Sequence, residues 1–178
     1  LGGYQVLVLV RDPARLKGRF WLGQVEVVQG DVLQPDTLEA ALARIDAAYY
    51  LVHSMRGGSD FHERDVLAAR NFGAAAQTQE VQRIIYLGGL GDPDSDLSQH
   101  LRSRQQTGDA LRESGVPVTE FRAGVIVGAG SLSFEIIRNL TERLPMMICP
   151  RWVYTRIQPI SIRDTLDYLV TALNVPES

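Results

Sequence analysis

Cysteine, positive charge and long apolar runs are all scarce in this sequence. Cys149 is the only cysteine, so no internal disulfide can form, which fits a reducing compartment and a cytoplasmic location. The 18 Lys and Arg against 21 Asp and Glu give a net charge of −3. That balance argues against nucleic acid or an anionic membrane as the main partner, because each needs a concentrated cationic face. Arg102 and Arg104 come nearest to a cluster. No apolar run approaches bilayer length, so no membrane span is expected. Repeats, low-complexity tracts and linkers are missing too, and 178 residues suit one domain, residues 1–178. The chain opens on Leu1 rather than Met, so the lack of a visible leader carries no weight.

What is present is an alternation of short β-rich runs with longer helical stretches. Val6–Val10 is continuously apolar, as a strand buried on both faces should be. Gly2 and Gly3 before it read as a helix exit and turn. Further strands are predicted at Val25–Val28, Ala47–Val52, Arg83–Leu87 and Val118–Arg122. Three pairs have capping-box spacing: Asp36 with Glu39, Asp60 with Glu63, and Ser161 with Asp164. They precede apolar faces built from Leu38, Ala41, Leu42 and Ile45, then Phe61, Ala68, Ala69, Phe72 and Ala76, then Leu166, Leu169, Val170 and Leu173. Two more helices are expected at Leu101–Ser114, ended by Gly115, and at Leu132–Leu144, stopped by Pro145. Pro150–Pro159 reads as irregular or briefly extended. The expected fold is α/β: a Rossmann-like, doubly wound, mainly parallel sheet with helices on both faces.

In such sheets ligands sit beyond the carboxyl ends of the strands, so the candidate residues are sought there. Arg11 follows the first strand. It either pairs with a ribose 2′-phosphate or is a solvated residue opening a turn. Asp31, after Gly30 and before Val32, either accepts from an adenine amino group or caps a turn. Leu51, Val52 and His53 close the third strand, although a lone histidine is more often structural than catalytic. Leu87 runs into Gly88 and Gly89, where missing side chains suit either a ligand's close approach or a tight turn. Arg122, Ala123 and Gly124 begin a segment to Gly130 that reads as flexible. No one of these is specific; their joint placement at successive strand ends is.

Taken together, these phrases resemble the atypical and extended short-chain dehydrogenase/reductase superfamily, nearest its bacterial NAD(P)-binding, epimerase-like and NmrA-like members. The resemblance rests on Val8–Pro13, Gly30-Asp31-Val32, Tyr50–Ser54, Ile84–Gly89, Leu111–Pro117, Arg122–Gly128 and Gln158–Asp164. It implies a bound NADP or NAD, with NADP favoured by Arg11, and an oxidoreductase or epimerase-type activity on a small molecule. A homo-oligomer is compatible with it. In active members a Tyr acts as acid or base, with a Lys four residues later. Here His100 and Arg104 stand in that spacing, and a Gly replaces the expected Ser or Thr at the fourth strand's end. This departure keeps two non-catalytic readings open: a sensor of NADP redox state, and a structural or assembly subunit stabilised by nucleotide. The superfamily's Gly-rich turn is also missing. Its strand would lie between Val6–Val10 and Ala47–Val52, so about 20–25 further residues are expected before Leu1. The 178-residue chain alone is then expected to bind dinucleotide poorly. Substrate-pocket segments are likewise expected beyond Ser178.

Overall fold

A computed structural model of the chain describes residues 3–53, 61–91, 98–128, 131–143 and 157–175. Five strands fall where the apolar runs predicted them: β1 Leu7–Val10, β2 Glu26–Gln29, β3 Ala47–Tyr50, β4 Arg83–Gly89 and β5 Val118–Ala123. Among them lie the helices α1 Asp36–Leu42, α2 Phe61–Thr78 and α3 Gln99–Arg112. After β5 come β6 Val125–Val127, α4 Leu132–Arg143, β7 Pro159–Ser161 and α5 Ile162–Thr171.

Every strand pair is parallel, but the expected single sheet is divided into three hydrogen-bonded sets. They are β1–β2, β3–β4–β5 and β6–β7. Among the described residues no strand lies between β1 and β3, although Leu9 of β1 packs against the same buried cluster as Tyr50 of β3. The segment after Arg122 is not a loose exit. Gly124 breaks β5, and Val125–Val127 then pairs with Pro159–Ser161. A Cβ at Gly124 would lie 2.8 Å from the Gln158 carbonyl oxygen, so this crossing needs a bare backbone.

The core sits between β3–β4 and the helices α1, α2 and α3. Leu38, Ala69, Ala76, Tyr86, Ile84 and Leu111 are fully buried there, and the Tyr50 ring meets Phe72 edge-on at 5.0 Å. Strand alternation sends Tyr49 and Ile85 to the opposite face, where α5 covers them. The Tyr49 hydroxyl donates to the Leu169 carbonyl at 2.7 Å, and Arg83 donates to that of Ala172. Helices therefore lie on both faces, as a doubly wound sheet requires.

Local expectations need two corrections. Asp36 is the first residue of α1 rather than its cap; Pro35 holds the cap position without a side-chain bond. The entry is fastened instead by Thr37, whose hydroxyl accepts from the Asp31 amide at 3.0 Å and donates to the Gln34 carbonyl at 2.7 Å. Of the expected α5 face, Leu169 is buried against the sheet, with Leu173 packed there just past the helix end, while Leu166 and Val170 stay exposed. Ser161 does cap α5, accepting from the Asp164 amide at 3.0 Å. Asp60 and Pro145 lie outside the described residues. Among those described, no helix is long and apolar enough to cross a membrane.

Candidate functional site

Because β3, β4 and β5 are parallel and in register, their carboxyl ends share one edge. Tyr50 is paired with Tyr86, and Gly88 and Gly89 with Arg122 and Ala123. Leu51, Val52 and His53 leave β3 at this edge with exposed side chains. Helix α3 begins at the same end. Ser98 caps it by accepting from the Leu101 amide, and the helix brings His100 and Arg104, four residues apart, onto one face.

Arg104 is the most constrained of these residues. Its Nη2 donates to the Leu87 carbonyl, its guanidinium lies 5.1 Å above the Tyr86 ring centroid, and its own carbonyl accepts from the Tyr86 hydroxyl at 2.8 Å. Its Nη1 is buried without an acceptor among the described residues. Leaving a buried donor of a permanent cation unpaired is costly. His53 stands close enough to feel the charge. Burial first, then Arg104 and His100, hold its pKa below the ordinary histidine value. His53, His100 and Arg104, from separate stretches of sequence, are therefore brought into one electrostatic neighbourhood.

Asp65 is missing from the candidates read from sequence; it is buried on α2, has partners, and sends its negative charge to His53, Tyr50 and Tyr86. Its position did carry a signal, since residues 65, 69, 72 and 76 form one buried helical stripe. Tyr50 and Tyr86 are not acid–base groups. Burial raises both phenols, that of Tyr86 to about 12, so neither ionises near neutrality.

Several strand-end residues turn out to have structural partners. A Cβ at Gly88 would come within 2.6 Å of the Glu120 carboxylate, and one at Gly89 within 2.9 Å of Leu101. The close approaches at these glycines are thus made by β5 and α3. The buried Glu120 side chain also pairs with Arg112 and, at 3.2 Å, with Arg122, so the Arg122 charge is engaged within its own strand. Ala123 accepts from the Leu90 amide at 2.9 Å, and Gly124 is taken up by the crossing at Gln158.

On the first sheet, Arg11 is exposed, and its carbonyl accepts from Gln29 at 3.1 Å. Asp31 does cap a turn, accepting from the Leu33 amide at 3.0 Å. Val32 packs on the core, and its carbonyl accepts from Asn71 at 3.0 Å. Among the described residues no group of His, Cys, Asp and Glu is arranged to hold a metal ion.

A family described as NAD(P)H-binding matches residues 1–144. No curated protein matches the chain. Among solved structures, a putative epimerase from Burkholderia cenocepacia has a TM-score of 0.78 at 15% identity, over 97% of this chain and 64% of its own. The enzyme WbmH of Bordetella bronchiseptica, in complex with NAD+, has a TM-score of 0.70 at 17% identity, over 97% of this chain and 65% of its own. The NADPH-dependent quinone oxidoreductase of Escherichia coli, complexed with NADPH, has a TM-score of 0.59 at 25% identity, over 71% of this chain and 42% of its own. The chain spans between 42% and 65% of the length of these three solved structures.

Proposed function

Since the chain belongs to this NAD(P)H-binding family, we propose that a nicotinamide dinucleotide lies across the carboxyl edge of β1 to β5. The protein is then an NAD(P)-dependent oxidoreductase or epimerase-type enzyme acting on a small molecule. The observation that carries this reading is the buried, acceptorless Nη1 of Arg104 at that edge. Ribose hydroxyls offer the acceptor it lacks, so the residues present fit the group.

When bound, the dinucleotide supplies or accepts a hydride. Arg104 orients its ribose. His100, one turn earlier on α3 and exposed, gives or takes the accompanying proton. Leu51 and Val52 form an apolar ledge beside it, continued by Leu87, Gly88 and Gly89 along the end of β4. At the other end, the Arg11 guanidinium has no ion-pair partner among the described residues, which favours NADP through its 2′-phosphate. Asp31 and Val32 border the adenine end. Arg122, Ala123 and Gly124 shape the far wall as backbone rather than as direct ligands.

The test is hydride transfer by the intact protein, with NADPH or NADH and a panel of quinones, ketones and nucleotide sugars. His100→Ala should lower turnover about 100-fold or more in a folded variant. Unchanged turnover would remove His100 from the site. Tight dinucleotide binding with no turnover on any substrate would turn the assignment to a redox sensor or a nucleotide-stabilised subunit.

A further inference from the structure

The turn after β1 carries charge that the whole-chain total conceals. Between Arg11 and Phe20 stand four cations, Arg11, Arg15, Lys17 and Arg19, against the single acid Asp12. This net +3 sits in a chain of net −3, so the remaining residues carry −6. The Asp12 carboxylate is already engaged as a cap, accepting from the Ala14 amide at 3.0 Å.

The backbone here is wound into a knob. The amides of Arg15, Lys17, Arg19, Leu22 and Gln24 each donate to the carbonyl three residues back, and Gly18 turns the chain at φ +81°. Leu16, Trp21 and Leu22 are half-buried and anchor it. Arg15, Lys17 and Arg19 are exposed, and Phe20 is 92% exposed, far beyond any other large apolar side chain described. A hydrogen-bonded knob that shows a phenyl ring among cations has no use for that ring in water.

We propose that this knob docks the protein on an anionic membrane surface. Phe20 enters between headgroups while Arg15, Lys17 and Arg19 lie against lipid phosphates and carboxylates. The charge complementarity is local: the knob carries +3 within a chain of net −3, so the attraction to an anionic surface is concentrated there. A single-stranded nucleic acid would need a cationic groove tracking its backbone, whereas one convex tip suffices for a plane. The low positive charge of the whole chain bears on an extended cationic face and leaves such a tip untouched. The proposal is independent of the dinucleotide site, since Arg15, Lys17 and Arg19 against Asp12 keep the knob at +2 when Arg11 is engaged there.

The experiment is co-sedimentation of the protein with vesicles of phosphatidylcholine alone and of phosphatidylcholine mixed with phosphatidylserine. Binding should require phosphatidylserine and weaken steeply with salt. The double charge reversal Lys17→Glu and Arg19→Glu should reduce it about 100-fold or more, and Phe20→Ser about tenfold. All three positions are exposed, and circular dichroism verifies that the variants fold. Equal sedimentation with both vesicle types, or variants that bind like the parent, would overturn the proposal. So would binding of a single-stranded oligonucleotide, lost in the same variants, without vesicle binding.

Discussion

The two parallel units at the centre of the molecule are built to different standards. In β3–β4–β5, every second residue of β3 and the run Ile84-Ile85-Tyr86 are sealed, with α2 and α3 on one face and α5 on the other. In β1–β2, no strand residue is fully buried, and β2 begins and ends on exposed Glu26 and Gln29. The first unit is a stable platform that fixes the reactive edge, holding Arg104 by its Leu87 and Tyr86 contacts. The second is an open flap that carries charge: Arg11 for a phosphate, and the knob beyond it. Burial and ligand recognition are thus divided between neighbouring pieces of one layer.

The sharpest way to break this comparison is to truncate one β-branched side chain to alanine in each unit. Ile84→Ala should cost about 2–5 kcal/mol in urea unfolding, by the lost burial and the cavity left in a sealed core. Val8→Ala, in the half-exposed β1, should cost about 1 kcal/mol. Equal losses would show that the flap is as tightly integrated as the platform.

A smaller effect separates the units by ligand rather than by stability. Arg11→Ala in the intact protein should weaken NADP by about 1.5–3 kcal/mol in a fluorescence titration and leave NAD nearly unchanged. Loss of both to the same degree would make Arg11 an ordinary surface residue.

The smallest predicted change is a proton equilibrium at the platform edge. Burial, Arg104 and His100 depress the folded-state pKa of His53, so the unfolded chain takes up that proton first. His53 therefore costs no stability above about pH 6.5 and lowers stability progressively as pH falls below it. By NMR its ring proton should titrate below the ordinary value, and Arg104→Met should move the midpoint upward. A midpoint unmoved by that substitution would place Arg104 too far from His53 to share a ligand with it.

The sequence was most legible where one physical demand ruled a segment. Continuous apolar runs located β1 to β5 because buried parallel strands tolerate little else. Three-residue β6 and β7 escaped notice because each is meaningful only beside the other, more than thirty residues away. Gly88 and Gly89 signal that something comes close, but a sequence does not say what approaches; among the described residues it is Glu120 and Leu101. The Glu120–Arg122 pair was readable, since alternate residues of a strand share a face. The basic knob is written plainly in Arg11–Arg19, and only the acidic total of the whole chain conceals it. His53, His100 and Arg104 could be named singly, but their meeting depends on the crossover from β3 through α2 and β4 to α3.

Arg104→Met tests the dinucleotide site most directly. It removes the unpartnered Nη1 together with the Nη2 bond to the Leu87 carbonyl and the guanidinium over the Tyr86 ring, so unfolding free energy should fall by about 1–3 kcal/mol in a variant that still folds. In the same intact variant, the NADPH dissociation constant should rise about tenfold or more, because a charge-assisted bond to ribose is lost. A folded variant that has lost NADPH affinity is the expected result. Unchanged NADPH affinity in the folded variant would contradict the assignment of this edge as the dinucleotide site.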